Sequence, residues 1–430
     1  MDRRIHNFDA LASTPLRTDA LAIAEAGYRA VDIGTAFARK VRVDGDELVV
    51  DGAPRILLDS RRVHFVGVGK CAIAGAEAAE RLFGDRIESG IALDVRGLAD
   101  GRLGTIEAFV GTHPKPTQEN VDATHRIITL LEGLTADDLV IMLVSGGGSV
   151  LLCSPEAPFT CADEGMLFDA LTDRGATIEE LNTVRKHLSK ARGGWLAKAA
   201  QPAEVVALIV SDVPGNDLEF VASGPTVKDT TSVEDAQAVL EKYGIPAPLS
   251  GFIETPKDDA DFARVSNVLF LSNEDALDAM KTEATARGLT ARVVTHTMHG
   301  EARTVAGQMA EALHDAPPRS ALLYGGETTV SLGEHPGKGG RNQELALAAL
   351  AELHDDELVL PFSSDGKDAT EHAGAIADAE TRAHARARNA DASTALAAHS
   401  SYDFFKASGD ALVTGLLESN VSDLVIALKN

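Results

Sequence analysis

The sequence predicts an α/β fold divided into two domains, and three observations predict it. Leu139–Val144 and Val205–Val210 are unbroken apolar runs of strand length, the pattern of strands buried on both faces. Helical stretches alternate with the strands: Cys71–Leu82 follows the strand Val63–Gly69, and Asn120–Glu132 leads into Leu139. Around Lys242–Asp261 the chain turns rich in Pro and Asp, with Pro246, Pro248 and Pro256, before a second series of strands and helices. The expected domains are therefore residues 1–255 and 256–430.

Residues 8–40 place Ala20, Ile23, Ala24, Ala26 and Ala30 near helical spacing. Val41–Asp51, VRVDGDELVVD, alternates around Asp-Gly and reads as a β-hairpin. After Val63–Gly69 come strands at Ile91–Val95 and Ile106–Val110, then a proline-framed loop in which His113 either touches ligand or, as a loop histidine, is capped, the second being the preferred reading. Leu181–Ala203 reads as a basic helix that buries Leu181, Val184, Leu188 and Ala191. In the second domain, strands at Val268–Leu271 and Ala291–Thr295 flank a helix, Asn273–Gly288. A helix at Glu301–His314 precedes Ala321–Leu332, read as strand, Gly-Gly-Glu turn and strand. A helix over Asn342–Leu353, a strand at Leu358–Phe362, helices around Ala373–Ala387 and Ser393–Ala398, and a closing strand at Val421–Leu428 complete the chain.

The 430 residues carry a net charge of −25, with 36 Asp and 29 Glu against 26 Arg and 14 Lys. That balance argues against nucleic acid or an anionic membrane surface as partner. Excess Asp with scarce Lys keeps a surface strongly hydrated and points to a salt-adapted source. No apolar run approaches the ~20 residues of a membrane span, and MDRRIHNFDALAS has no apolar core of signal-peptide length. Three cysteines, Cys71, Cys153 and Cys161, without CxxC spacing suggest reduced thiols and a cytoplasmic location.

Glycines at a strand's carboxyl end expose backbone N–H groups, and open α/β sheets bind ligands there. Ser145, Gly146, Gly147, Gly148 and Ser149 follow Val144 and form the first candidate anion nest. Gly67, Gly69 and Lys70 place a lysine at a strand–helix turn. The stretch fits neither GxxxxGK[ST] nor GxGxxG, which fails at Ala72, so alone it is either an anion site or a tight turn with a surface lysine. Leu181–Ala203 has no Asp or Glu but holds Arg185, Lys186, His187, Lys190 and Arg192, which in so acidic a chain points to an anionic ligand. Beyond Val210 lie Asp212 and Asp217, then Ser223 and Gly224; carboxylates at a strand end bind Mg²⁺, act as a base, or merely cap a turn. Gly339, Gly340, Arg341 and Asn342 open a helix and form a second anion site. Asp365 and Asp368 repeat the paired carboxylates after Phe362.

The motifs GVGK (67–70), SGGGS (145–149), NTVRKHLSKARGG (182–194), SDVPGNDLEFVASGPT (211–226), GGETTVSL (325–332), GKGGRNQE (337–344), SDGKDATEHAGAIAD (364–378) and TG…NVSDL (414–424) occur in that order. Together they resemble the glycerate 2-kinase family, the two-domain group with a MOFRL C-terminal domain, over nearly the whole chain. The resemblance implies a Rossmann-like N-terminal domain, a smaller α/β C-terminal domain and a site in the cleft between them. It also implies transfer of the ATP γ-phosphoryl group to O2 of D-glycerate, giving 2-phosphoglycerate, with Mg²⁺ or another divalent cation. By motif position Lys70, Asp212 and Arg341 are the expected catalytic residues, and Arg341 is expected to reach across the cleft to the glycerate carboxylate or the phosphates. Glu327 and Thr328 of GGETTVSL join the two anion nests and the basic helix as the expected substrate and phosphate contacts. Asp217, Asp365 and Asp368 are the expected metal ligands.

Three departures from the family pattern stand out. Gly215-Asn216-Asp217 replaces Gly-Asp-Asp, which shifts metal binding toward Asp212 and Asp217. SDGKDA replaces TDGxDG, and TGLLESNV replaces TGPTGTNV. The competing readings are an NAD(P)H-dependent hydroxypyruvate reductase, a kinase for another small sugar acid, and a non-catalytic sugar-acid binder. A reductase needs GxGxxG with an acidic residue about 20 positions on, and neither Gly67–Ala72 nor Ser145–Ser149 supplies it. The chain is expected to act as a monomer or homodimer.

Overall fold

Parallel strands need crossover connections, and the first half of the chain supplies them as helices. The computed structural model describes residues 3–59, 61–246, 251–333 and 336–430, so Pro248 of the expected boundary lies outside the described residues. A first seven-stranded sheet runs, in spatial order, 265–271, 204–210, 138–144, 62–68, 87–94, 106–110 and 102–103. Its central strands are parallel, and only 102–103 is shown pairing antiparallel, with 106–110. Asp138–Val144 is buried at every position, as its unbroken apolar run requires. A second sheet is mixed: 290–298 pairs parallel with 320–326, and 423–429 lies antiparallel between 320–326 and 357–363. Short strands at 374–375, 377–378 and 411–412 extend it.

The chain forms two compact units, each built on one of these sheets. The parallel-sheet unit comprises Ile33–Asp212 and Asn216–Phe270; the mixed-sheet unit comprises Met1–Asp32, Val213–Gly215 and Leu271–Asn430. Residues 256–270, expected in the second domain, end as the edge strand of the first sheet, because strand 204–210 offers a free edge there. The helix Pro15–Ala30 packs on the helix Asn273–Ala286 of its own unit, and Gly27 lets Met280 approach. Among the described residues no helix is long and apolar enough to cross a membrane.

Several elements differ from the sequence reading. The basic helix ends at Lys186, before the Leu188 and Ala191 expected on its buried face; the left-handed Gly193 and Gly194 follow, and Trp195–Ala199 is a separate short helix. Among the described residues no second strand follows Gly-Gly-Glu; Thr329 forms an isolated bridge to Glu301. The stretch 373–387 begins as two short strands, with the helix confined to Ala379–Ala387.

One buried network ties the helix Pro15–Ala30 into the mixed-sheet unit. Arg17, 1% exposed, forms a bidentate pair with Asp378 at 2.7 Å and reaches Asp410 at 2.9 Å. Asp378 also caps the helix Ala379–Ala387 through the Thr381 amide. Arg17→Ala strands two buried carboxylates and should cost about 3–5 kcal/mol, read as a lowered Tm. An unchanged Tm would show that the network carries no weight.

Candidate active site

In the parallel-sheet unit, strands 62–68 and 138–144 end in register, with Val68 beside Val144. Their two glycine loops therefore leave the sheet side by side. The Ser145 amide donates to Val68 O at 2.9 Å, the Lys70 amide to Gly146 O at 3.0 Å, and the Cys71 amide to Ser145 Oγ at 3.2 Å. Gly69 has φ +112, and a Cβ there would lie 2.2 Å from Ser145 Oγ, so only glycine permits this contact. The Gly146 and Gly147 amides meet no backbone carbonyl among the described residues, leaving two donors in the nest.

Cations gather around that nest. A Cβ on Gly147 would lie 3.4 Å from the Lys70 stem and 3.7 Å from the His113 ring, so both side chains flank the loop. Burial first, and then the charges of Lys70 and Arg185, hold His113 below the ordinary imidazole range. Arg185 is buried, stacks over Phe168 at 3.8 Å, and is lowered to about 10 by burial and then by the Arg192 charge. Its Nε has no hydrogen-bond partner. His113, for which sequence left open both a loop role and contact with ligand, thus stands beside two cations, Lys70 and Arg185. Beside it, the Ser223 hydroxyl donates to Asn182 Oδ1 at 2.7 Å and lies 2.9 Å from the Ser149 hydroxyl. Ala222, Ser223 and Gly224 all have positive φ, strain that packed surroundings must hold in place.

Other members of the basic stretch turn inward. Lys186 is buried against Glu219 and Asp229, each at 2.6 Å. His187 is buried between Ile253 O at 3.0 Å and Thr231 Oγ1 at 3.3 Å. These two were expected to meet an anionic ligand; partners from 219–253 meet them instead, supplying the acidic groups that the stretch itself lacks. Lys190 pairs with Glu156 at the surface. Asp212, half-buried, follows strand 204–210, whereas Asp217 is exposed and accepts the Glu219 amide at 3.0 Å as a turn cap.

In the mixed-sheet unit, the strand order creates a carboxylate cluster. Asp423 opens the strand that lies between 320–326 and 357–363, pairing with both Gly326 and Ser363. Glu327 follows the first of these neighbours, and Asp365 and Asp368 follow the second. Arg341 bridges them: Nε donates to Asp423 Oδ2 at 3.2 Å, and Nη1 to Glu327. Asp423 Oδ1 is buried without a hydrogen-bond partner. Asp365 Oδ1 accepts from Ser363 Oγ at 2.9 Å and from the Lys367 amide at 3.0 Å.

The anion at the second helix N-terminus is the chain's own. Asp368 accepts the Asn342 amide at 3.1 Å and the Gln343 amide at 2.8 Å, capping the helix Arg341–Ala349. A Cβ on Gly340 would lie 2.2 Å from the Asp368 carboxyl carbon, so this glycine serves Asp368. Both Asp368 oxygens are taken by donors, which corrects its expected role as a metal ligand. A Cβ on Gly339 would lie 2.2 Å from Ser401 Oγ, so that glycine serves packing rather than an anion. Thr328, Val330, Leu332, Arg341 and His399 line a cavity of about 380 Å³ beside this cluster.

Two described families match the chain: a domain of unknown function, DUF4147, over residues 19–255, and the MOFRL family over 320–423. A glycerate 2-kinase of Pyrococcus horikoshii is 35% identical, covering 96% of this chain and 97% of its own. A D-glycerate 2-kinase of Thermotoga maritima is 38% identical over 89% of this chain and 94% of its own. The chain belongs to the glycerate 2-kinase family. A solved glycerate kinase structure from Thermotoga maritima superposes with a TM-score of 0.84 at 35% identity, covering 95% of this chain and 98% of that one. A protein of Agrobacterium vitis provisionally named hydroxypyruvate reductase is 40% identical over 84% of this chain and 86% of its own.

Within this glycerate 2-kinase family chain, sequence reasoning missed Asp423 and Asn182 as members of the two clusters. The signal for Asp423 was an acidic residue opening a fully apolar strand, Leu424–Leu428. Burial and then the Asp423 charge push Asp368 up to about 6; burial pushes Asp423 up to about 6 against the pull of Arg341. Both are raised above the unfolded value near 4. Their contribution to stability is therefore complete below about pH 4 and is lost as pH rises through about 6. In metal-free buffer, Asp423→Asn should flatten the fall in Tm between about pH 4 and pH 7. A variant with the wild-type pH profile would remove Asp423 as its source.

Proposed function

We propose that this chain transfers the γ-phosphoryl group of ATP to O2 of D-glycerate, giving 2-phosphoglycerate. The observation that carries this reading is the group Lys70, His113 and Arg185 around the Gly146–Gly147 nest. Phosphoryl transfer is mostly positioning and charge neutralisation, and that group offers backbone donors and cations to phosphate oxygens. Lys70 neutralises charge on the transferring group, and Asp212 takes the proton of the attacking hydroxyl. Arg341, held by Glu327 and Asp423 and 38% exposed, offers a planar fork to an anionic ligand. The first sheet, with parallel strands and helical crossovers, is read as Rossmann-like.

A divalent cation fits the mixed-sheet cluster: Asp423 has a partnerless buried oxygen, and two carboxyl groups are pushed up by burial among like charges. Asp423 and Asp365 would hold it, and when bound it would neutralise phosphate charge. Buried Cys71 and Cys153, both free thiols, agree with a cytoplasmic setting.

The name of the Agrobacterium vitis relative favours a reductase as second reading. Against it, Ala72 stands where a dinucleotide loop has its third glycine, and Gly67 is taken up by Phe65 and Ala72 packing against it. Purified protein should consume ATP with D-glycerate and Mg²⁺. Lys70→Ala should lower kcat/KM by one to three powers of ten, about 1.4–4 kcal/mol, with an unchanged Tm. NADH oxidation with hydroxypyruvate, and no ATP use, would replace the kinase reading by the reductase. Wild-type turnover in Lys70→Ala would remove that lysine from the site.

A further inference from the structure

At the opposite end of the second sheet, three chemistry-bearing side chains meet. His314 ends the helix Ala302–His314, and His354 and Glu357 frame the turn that enters the strand Glu357–Ser363. Glu357 is wholly buried: its Oε2 accepts the His354 amide at 2.9 Å, and its Oε1 has no hydrogen-bond partner. Lys429 Nζ stays 3.7 Å from that oxygen because it donates to the Leu313 and His314 carbonyl oxygens at 3.1 and 2.7 Å. His314 Nε2 is buried 3.2 Å from Glu357 Oε2 and makes no hydrogen bond. His354 Nδ1 lies 3.6 Å from Glu357 Oε1, and the two imidazole rings stack at 4.0 Å.

A donor atom from each of the three residues lies within 4.8 Å of the others, the one such group of three or more His, Cys, Asp or Glu among the described residues. A buried carboxylate oxygen and a buried imidazole nitrogen, both without partners, are each unfavourable alone. A single cation satisfies both lone pairs. Two imidazoles and one carboxylate suit zinc-type transition ions, whereas Mg²⁺ and Ca²⁺ prefer oxygen throughout. His354, exposed to solvent, gives an entry path and leaves room for a water ligand. Six residue steps along strand 357–363, at roughly 3.3 Å each, put the group about 20 Å from Ser363, the strand end beside which the carboxylate cluster lies.

We propose that His314, His354 and Glu357 form a divalent transition-metal site of zinc type. It clasps the end of the helix Ala302–His314 to the turn before the strand Glu357–Ser363, far from the carboxylate cluster.

The test uses untagged full-length protein stripped with chelator. Titration with Co²⁺ should give saturable binding of one equivalent with visible ligand-field absorption, displaced by Zn²⁺, and Zn²⁺ should raise Tm. His354→Ala, an exposed change, should weaken Co²⁺ binding by about tenfold to a hundredfold or more and abolish the Zn²⁺-dependent rise in Tm. It should leave Mg²⁺-supported ATP turnover unchanged. Glu357→Gln should also lose binding. Absent Co²⁺ binding, or equal affinity in wild type and His354→Ala, would overturn the proposal. Stabilisation by acid alone, with no response to Co²⁺ or Zn²⁺, would also overturn it, because a proton would then bridge the pair.

Discussion

Like charges held together at strand ends are costly, and this chain holds two such groups. At the carboxyl end of the first sheet, burial and the charges of Lys70 and Arg185 disfavour a proton on His113, and burial and the Arg192 charge lower Arg185. Glu327, Asp365, Asp368 and Asp423 stand together around one arginine at the end of the second. Burial strengthens both repulsions, because a low local dielectric leaves charges poorly screened. Their persistence is understood if a ligand of opposite sign completes each group: phosphate oxygens for the cations, a divalent cation for the carboxylates.

The same chain shows what compensated charge looks like. Lys186 sits between Glu219 and Asp229, Arg192 meets Glu164 at 2.6 Å, and Arg17 binds two aspartates. Those ion pairs hold loops and helices in place and have little left to offer a ligand. Geometry separates the two kinds. The structural pairs hold helices and connecting segments, whereas the clustered groups gather around strand ends, where neighbouring strands bring their loops together. Glycine then decides how close the loops come: Gly69 admits Ser145, and Gly340 admits Asp368.

Much of this was legible from residue order. The buried apolar runs marked the central strands, and glycine with hydroxyl clusters marked the loops at their carboxyl ends. Lys70, Ser149 and Ser223 fall where those loops gather. Charge counting along the chain misled at 181–203, because the missing carboxylates came from Glu164, Glu219 and Asp229, far away in sequence. The helix opening at Arg341 misled for a related reason. A helix N-terminus attracts an anion, but sequence does not say whether that anion is a ligand or, as here, Asp368. Asp423 was invisible as a site member because its role depends on an antiparallel strand inserted between two parallel neighbours, a topology that local pattern does not encode.

The central claim is that the cation group of the parallel-sheet unit is completed by phosphate, and His113 reports on it directly. Its titration can be followed by NMR in the free protein and with ATP present. Free, it should titrate below the ordinary imidazole range, held down by burial and by Lys70 and Arg185. With ATP bound, the incoming negative charge should raise that midpoint by about one unit or more. A His113 midpoint that does not move when ATP binds would contradict the account.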